Sequence, residues 1–266
     1  MTTPPVDVAV RDAVAVVSID RPPLNLLSTV VKATLTTTFE DLSSRADIRV
    51  IVLRGAGEAA FSAGADLREF PERIRQGNAD EVSRAGHRLG RAIRGCPQPV
   101  VAALDGVVFG GGLELALYAD LRIATGRARF AFPEITRGVF PGNGGSQLVS
   151  RLIGIAKAKE LMLGGTPIDA AEAARIGMIN RIVDPSALMA EALSWAGELA
   201  QRPRSASACI KRLVDEGMQL SFAQACELEA TLFGEVFQSN DAGEGVDAFF
   251  AKRPPVFPSI PHEESP

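Results

Sequence analysis

Two carboxylates and two glycine-bearing turns are the parts of this 266-residue sequence equipped for chemistry. Glu114 follows Gly110, Gly111 and Gly112 in "VVFGGGLELALYADLRI", and Glu134 follows a proline in "FAFPEITRGVFPGNGGSQ". Glycines let a ligand reach the main chain, and a helix beginning at them presents unpaired N–H groups. Gly64 in "FSAGADL" permits a second tight turn that can leave a backbone N–H pointing into a pocket, with Asp66 suited to the positive end of a helix start. Backbone donors aimed at a thioester oxygen stabilise an oxyanion as it develops. Two separate carboxylates can activate a water and exchange a proton at carbon. Together these are the parts of enolate chemistry. Each segment alone also has a plainer reading. The glycine run suits close packing of strand on helix with Glu114 in a buried ion pair, "FSAGADL" suits a simple turn, and Glu134 suits a solvent-exposed loop.

Other chemistries find less support. Gly55-x-Gly57-x-x-Ala60 follows a strand-like run, but no strand and ribose-binding acid come where a dinucleotide fold needs them, and no GxxxxGK[ST] loop occurs. Cys96, Cys209 and Cys226 are far apart and odd in number, which reads as reduced core thiols of a cytoplasmic protein. With only His87 and His262 as histidines, neither a metal site nor a Ser-His-Asp or Cys-His system is expected, so acid–base work falls to carboxylates. The net charge of −4 gives no attraction for nucleic acid or an anionic membrane surface. No apolar run reaches the roughly 18 residues of a spanning helix, and the start "MTTPPVDVAVRD" lacks the pattern of a secretory signal.

The elements that must position these groups read as a mixed α/β chain. "VDVAV" and "AVAVVSI" around "RDA" predict a hairpin, and Ser28 caps a helix to about Arg45 with Val31, Leu35, Phe39 and Leu42 on one face. "VIVLRG" and "PVVAALDG" read as strands buried on both faces, and "LRIAT" and "ARFAF" as two more short strands. Asp80–Cys96 reads as a helix with Val82, Ala85, Leu89 and Ile93 opposite a stripe of Arg84, Arg88 and Arg91, a solvated face more simply than a phosphate site. From Gly144 the helical period dominates, near 144–152, 155–163, 169–175, 186–202, 204–217, 221–238 and 241–251, so an all-helical tail is expected. "PPVFPSIPHEESP" closes the chain as a fraying end.

With "IDRPPLN", "FSAGADL", "DGVVFGGGLELALYADLRIAT", "FAFPEITRGVFPGNGGSQ", "AKAKELMLGGTPIDAAEAARIGMINRIV" and "AFFAKRPPVF" in order, the sequence resembles the enoyl-CoA hydratase/isomerase (crotonase) superfamily. The resemblance implies an α/β fold, a spiral of ββα units over residues 1–200 carrying the active site. Residues 201–266 would form a C-terminal helical trimerisation region that does not fold independently. It implies an acyl-CoA thioester substrate, no cofactor beyond the coenzyme A of that substrate, and a homotrimer or dimer of trimers. By position, Ala65 and Gly111 would supply the oxyanion-hole amides and Glu114 and Glu134 the catalytic pair. Leu26, Ser62, Ala63, Arg68 and Gly110 would line the coenzyme A channel, largely through backbone. Hydrating members use both glutamates on one water, whereas double-bond isomerases often keep only the second, so an enoyl-CoA hydratase is expected. An enoyl-CoA or dienoyl-CoA isomerase, or another acyl-CoA enzyme of the superfamily, is the alternative. An idle member binding RNA through the arginine stripe is the non-enzymatic one. Two departures stand out: Leu148 where many members place an arginine, and "GAGEAAF" without the lysine often found before its Ala-Phe pair.

Overall fold

A computed structural model describes residues 4–257. His262 and the end of the closing segment, 258–266, lie outside the described residues, as do residues 1–3. The chain opens with strands β1 (Val6–Arg11) and β2 (Val14–Ile19), then helix α1 (Thr29–Ser43), β3 (Val50–Gly55), β4 (Ala60–Ser62), α2 (Phe70–Gln76) and α3 (Ala79–Gly95). Next come β5 (Val100–Leu104), β6 (Val107–Phe109), α4 (Gly111–Tyr118), β7 (Leu121–Thr125), β8 (Arg129–Ala131), α5 (Gly145–Ile153) and α6 (Ile155–Gly164). The rest is β9 (Ile168–Asp169), α7 (Ala170–Arg175), β10 (Arg181–Val183), α8 (Leu188–Ala200), α9 (Arg204–Gly217), α10 (Phe222–Phe237) and α11 (Asn240–Ala251).

The strands divide between two sheets, ordered β1-β2-β3-β5-β7-β10 and β4-β6-β8-β9. Successive pairs β3/β4, β5/β6 and β7/β8 each place one strand in each sheet, so the chain winds as a spiral of strand pairs and helices. Within the larger sheet only the β1–β2 hairpin is antiparallel, and its turn is Asp12-Ala13, both at positive φ as a tight hairpin requires.

Alternation along the parallel strands sends side chains to two cores. Val50, Val52, Val101, Ala103 and Ile123 face Leu188, Ala192 and Ala196 of α8. Ile51, Leu53, Val100, Ala102 and Leu104 face the other way, into the core with Val31, Leu35 and Phe39 of α1 and Leu89 and Ile93 of α3. At the centre lies α4, whose residues Gly111–Leu117 are all buried. An ion pair of Lys211 with Asp120 (2.9 Å) and another of Arg94 with Asp215 (2.7 Å) tie α9 to this body.

The fold departs from the sequence reading at short elements. The expected all-helical tail contains two strands: β9 pairs antiparallel with β8, and β10 parallel with β7. At two and three residues they are too short to show a period. β4, β6 and the seven-residue α2 escaped for the same reason. Only Cys96 is a buried thiol; Cys209 is half-buried and Cys226 exposed, so the expectation of core thiols holds for one of three. On α3, Arg84 pairs with Asp80 at the surface, and Arg88 and Arg91 are exposed.

Candidate active site

The three consecutive glycines face three different neighbours. A Cβ on Gly112 would sit 2.2 Å from the Ser62 carbonyl oxygen, so this position exists for close backbone packing. Gly110 has φ +50°, and a Cβ there would meet Glu134 Oε1 at 2.8 Å. Gly111 differs, because a Cβ built on it meets nothing nearer than the Ala65 amide nitrogen at 3.5 Å and Asn143 Nδ2 at 3.7 Å. A Cβ there would make only ordinary van der Waals contacts, and nitrogen donors form its rim. The close packing of the plainer reading is found at Gly112.

Ala65 comes to this rim through a tightly held loop. Leu27 N donates to Gly64 O (2.8 Å) and Ala63 N to Leu24 O (2.9 Å), laying residues 24–27 beside 63–65. Asn25, fully buried, uses Nδ2 to hold Ala56 O and Ala60 O. The Ser62 hydroxyl donates to Asn25 O and accepts from Gly64 N, so it shapes the turn from within. Gly64 at φ +96° then turns the chain, and Asp66 caps the short 3-10 turn Leu67–Glu69 by accepting from Arg68 N. Among the described residues, no acceptor takes the amide hydrogens of Ala65 or Gly111. Two main-chain donors without an acceptor therefore lie close together, an arrangement suited to binding an oxyanion.

Glu114 lies in the first turn of α4, 1% exposed. Among the described residues it has no direct ion-pair partner. Its Oε1 accepts from Asn143 N (2.8 Å) and Gly145 N (2.9 Å), and its Oε2 from Asn143 Nδ2 (2.6 Å). All three partners are donors, so Glu114 acts here purely as an acceptor. A Cβ on Gly145 would lie 2.6 Å from Glu114 Cγ, which is why the loop "PGNGGS" needs a glycine there.

Glu134 opens the opposite way. It sits in the 3-10 turn Pro133–Arg137 directly after β8, with Oε1 against Gly110 and Oε2 buried without a hydrogen-bond partner. Burial pushes its pKa up to about 7; the nearby charge of Glu114 adds to this, while a backbone hydrogen bond and Arg137 oppose it. One carboxylate thus accepts three hydrogen bonds, and the other has an orphaned oxygen and is readily protonated near neutrality. Opposed environments of this kind separate an acid from a base.

A family profile described as "Enoyl-CoA hydratase/isomerase" spans residues 9–259. The chain belongs to the enoyl-CoA hydratase/isomerase family. It is 36% identical to the short-chain-enoyl-CoA hydratase of Clostridium acetobutylicum, over 90% of this chain and 92% of that one. It is 37% identical to the crotonyl-CoA hydratase of Syntrophomonas wolfei, over 77% and 79%. The crystal structure of an enoyl-CoA hydratase from Bacillus anthracis superposes with a TM-score of 0.90 at 32% identity, covering 96% of this chain and all of that one. The spiral of ββα units is accordingly the crotonase fold.

Within that family frame, the remaining expected positions divide. Leu26 and Ala63 lie on the two segments laid side by side, while Arg68 is exposed and ion-paired with Asp66 at 2.6 Å. Ser62 is fully buried and offers no side chain to a ligand. Leu148, where many members carry arginine, is half-buried and packs against the main core. Sequence reasoning missed Asn143, the donor to Glu114, and Lys32, whose Nζ donates to Asn143 Oδ1 at 3.1 Å. It also missed Gly86 and Gly90 of α3, where a Cβ would lie 2.0 Å from Asn143 Oδ1 and 2.1 Å from the Tyr118 ring. A buried lysine on the apolar face of α1 was the available signal.

Proposed function

We propose that this protein is an enoyl-CoA hydratase, adding water reversibly across the double bond of a trans-2-enoyl-CoA. The contrast between the two glutamates carries the reading. The thioester oxygen enters the opening before Gly111 and accepts from Ala65 N and Gly111 N. Glu114 takes a proton from water as the water oxygen bonds to Cβ. The double-bond electrons move toward the carbonyl as an enolate, and protonated Glu134 delivers its proton to Cα. The pair ends with its one proton on Glu114, and transfer back to Glu134 completes the cycle. No metal or redox cofactor enters this scheme. The names of the hydrating relatives support it, as does the presence of both carboxylates.

Exposed apolar side chains on the C-terminal helices, among them Ile210, Val214, Phe222, Phe233, Phe237 and Phe249, support self-association through residues 201–266 as a trimer or dimer of trimers. Among the described residues, no helix is long and apolar enough to cross a membrane. The unpaired thiols suit a reducing cytoplasm. The deciding assay follows loss of the conjugated thioester's ultraviolet absorbance with short, medium and long trans-2-enoyl-CoA substrates. Absence of turnover on all of them would overturn the reading. Glu114→Gln should abolish hydration; a variant that isomerises 3-enoyl-CoA at the wild-type rate would favour the isomerase instead.

A further inference from the structure

The base is aimed by a side-chain chain that begins on α1. A carboxylate offers about four lone-pair sites. On Glu114, Oε1 is filled by the amides of Asn143 and Gly145, and Oε2 accepts only from Asn143 Nδ2, so the remaining site is on Oε2. Its direction depends on where the Asn143 amide holds it. The amide in turn is fixed from behind: its Oδ1 accepts from Lys32 Nζ, and its main-chain oxygen accepts from the Tyr118 hydroxyl at 2.7 Å. An ammonium has no acceptor and a carboxylate no donor, so the amide can stand between Lys32 and Glu114 in one orientation only.

Lys32 is 6% exposed, and among the described residues its ammonium makes one hydrogen bond, to Asn143. Burial lowers its pKa from the usual lysine range, opposed by the charges of Glu114 and Glu69 and reinforced by Arg73. A lysine so buried costs free energy at a site where Leu or Met would pack. Leu27, Gly86, Leu89, Gly111, Leu115 and Tyr118 close around it and Asn143, leaving a narrow crevice beside the opening at Gly111.

We propose that Lys32, acting through Asn143, is a positioning residue that turns the free lone pair of Glu114 Oε2 toward the attacking water. The proposal rests on the hydratase reading. It separates water activation, which needs Glu114, from proton exchange at Cα, which needs Glu134 and the oxyanion amides alone. In that exchange Glu134 as carboxylate takes a Cα proton from a saturated acyl-CoA, the enolate forms at the amides, and a solvent-derived deuteron returns to Cα.

The test compares wild type, Lys32→Met, Lys32→Gln and Lys32→Met/Asn143→Ala with Asn143→Ala alone. Lys32→Met should lower kcat for crotonyl-CoA hydration at least tenfold with KM within about twofold, while deuterium exchange at Cα of butyryl-CoA stays within about twofold of wild type. Lys32→Gln, which keeps a donor, should recover part of the loss. Adding Lys32→Met to Asn143→Ala should cost little more, because the two residues act in series. Equal losses of hydration and exchange would overturn the proposal as mere structural damage, and so would full hydration in Lys32→Met. A crystal structure of Lys32→Met gives an answer without substrate: the Asn143 amide should leave its 2.6 Å contact with Oε2, and an unmoved amide would overturn the proposal. A wild type that exchanges Cα protons but hydrates no enoyl-CoA would instead defeat the hydratase reading, and the amide position would still decide the role of Lys32.

Discussion

Raising the pH should switch off hydration through Glu134. Its pKa, pushed up to about 7 chiefly by burial, means the proton donor is present below that value and lost above it. At pH 9 about 1% of the enzyme would retain the proton, so kcat/KM should lie ~100-fold below its plateau, falling about tenfold per pH unit. The same limb must appear in both directions. Hydration takes up no net proton, so its equilibrium constant is independent of pH. The hydrating enzyme has the proton on Glu134, the dehydrating enzyme has it on Glu114, and both hold one proton in total. The assay follows enoyl-CoA absorbance from pH 6 to 9 in both directions, with spontaneous thioester hydrolysis subtracted and folding checked by circular dichroism. A kcat/KM that changes less than twofold between pH 7 and 9 in a folded enzyme would refute the assignment of Glu134 as the acid.

Other substitutions test the packing beneath the chemistry. Glu134→Gln should abolish hydration yet stabilise the fold by ~1–3 kcal/mol after solvent screening, because the wild type buries an uncompensated carboxyl. Since the folded-state value is raised from 4.5 to about 7, that gain should grow with pH across this window and then level off; a thermal shift independent of pH would contradict it. Gly111→Ala should fold normally, its methyl meeting nothing nearer than Ala65 N at 3.5 Å, but should block the oxyanion opening and cost ~100-fold or more in kcat/KM. Gly112→Ala should fail to fold or lose several kcal/mol in urea unfolding, because its methyl would lie 2.2 Å from Ser62 O; normal stability would refute the close packing. Lys211→Met should cost ~3 kcal/mol by leaving Asp120 unpaired, and urea unfolding with a loss under ~1 kcal/mol would show the pair to be dispensable.

The long elements were legible because their periods are long enough to count. Val31, Leu35, Phe39 and Leu42 mark α1 by helical spacing, and the unbroken apolar runs of β3 and β5 announce strands covered on both faces. Most of the short strands were not, since β4, β6, β9 and β10 span two or three residues each and are fixed by partners distant in sequence, whereas β8 was legible in the apolar run "ARFAF". The candidate site shows the same division. Glu114, Glu134 and the glycines announced themselves by residue type. Asn143 did not, because an asparagine between two loop glycines looks like turn chemistry until the fold brings α1 and α4 against it.

That asparagine also explains how one short helix can hold a charge in a hydrophobic interior. The first turn of α4 carries Glu114 among Leu113, Leu115 and Ala116, all buried, where an unpaired carboxylate would be costly. Its compensation comes from neither α4 nor a direct cation but from the loop after the Glu134 turn, which brings two main-chain amides and one side-chain amide to it. The same loop leaves the second carboxyl without a partner on Oε2. A loop that gives three donors to one glutamate and none to Oε2 of the other creates the kind of contrast in environment on which acid–base catalysis depends. The glycines at 144 and 145 are then requirements of that asymmetry. A Cβ on Gly144 would lie 2.1 Å from the Tyr118 hydroxyl and one on Gly145 2.6 Å from Glu114 Cγ, so any side chain there would push the donors off the carboxylate they serve.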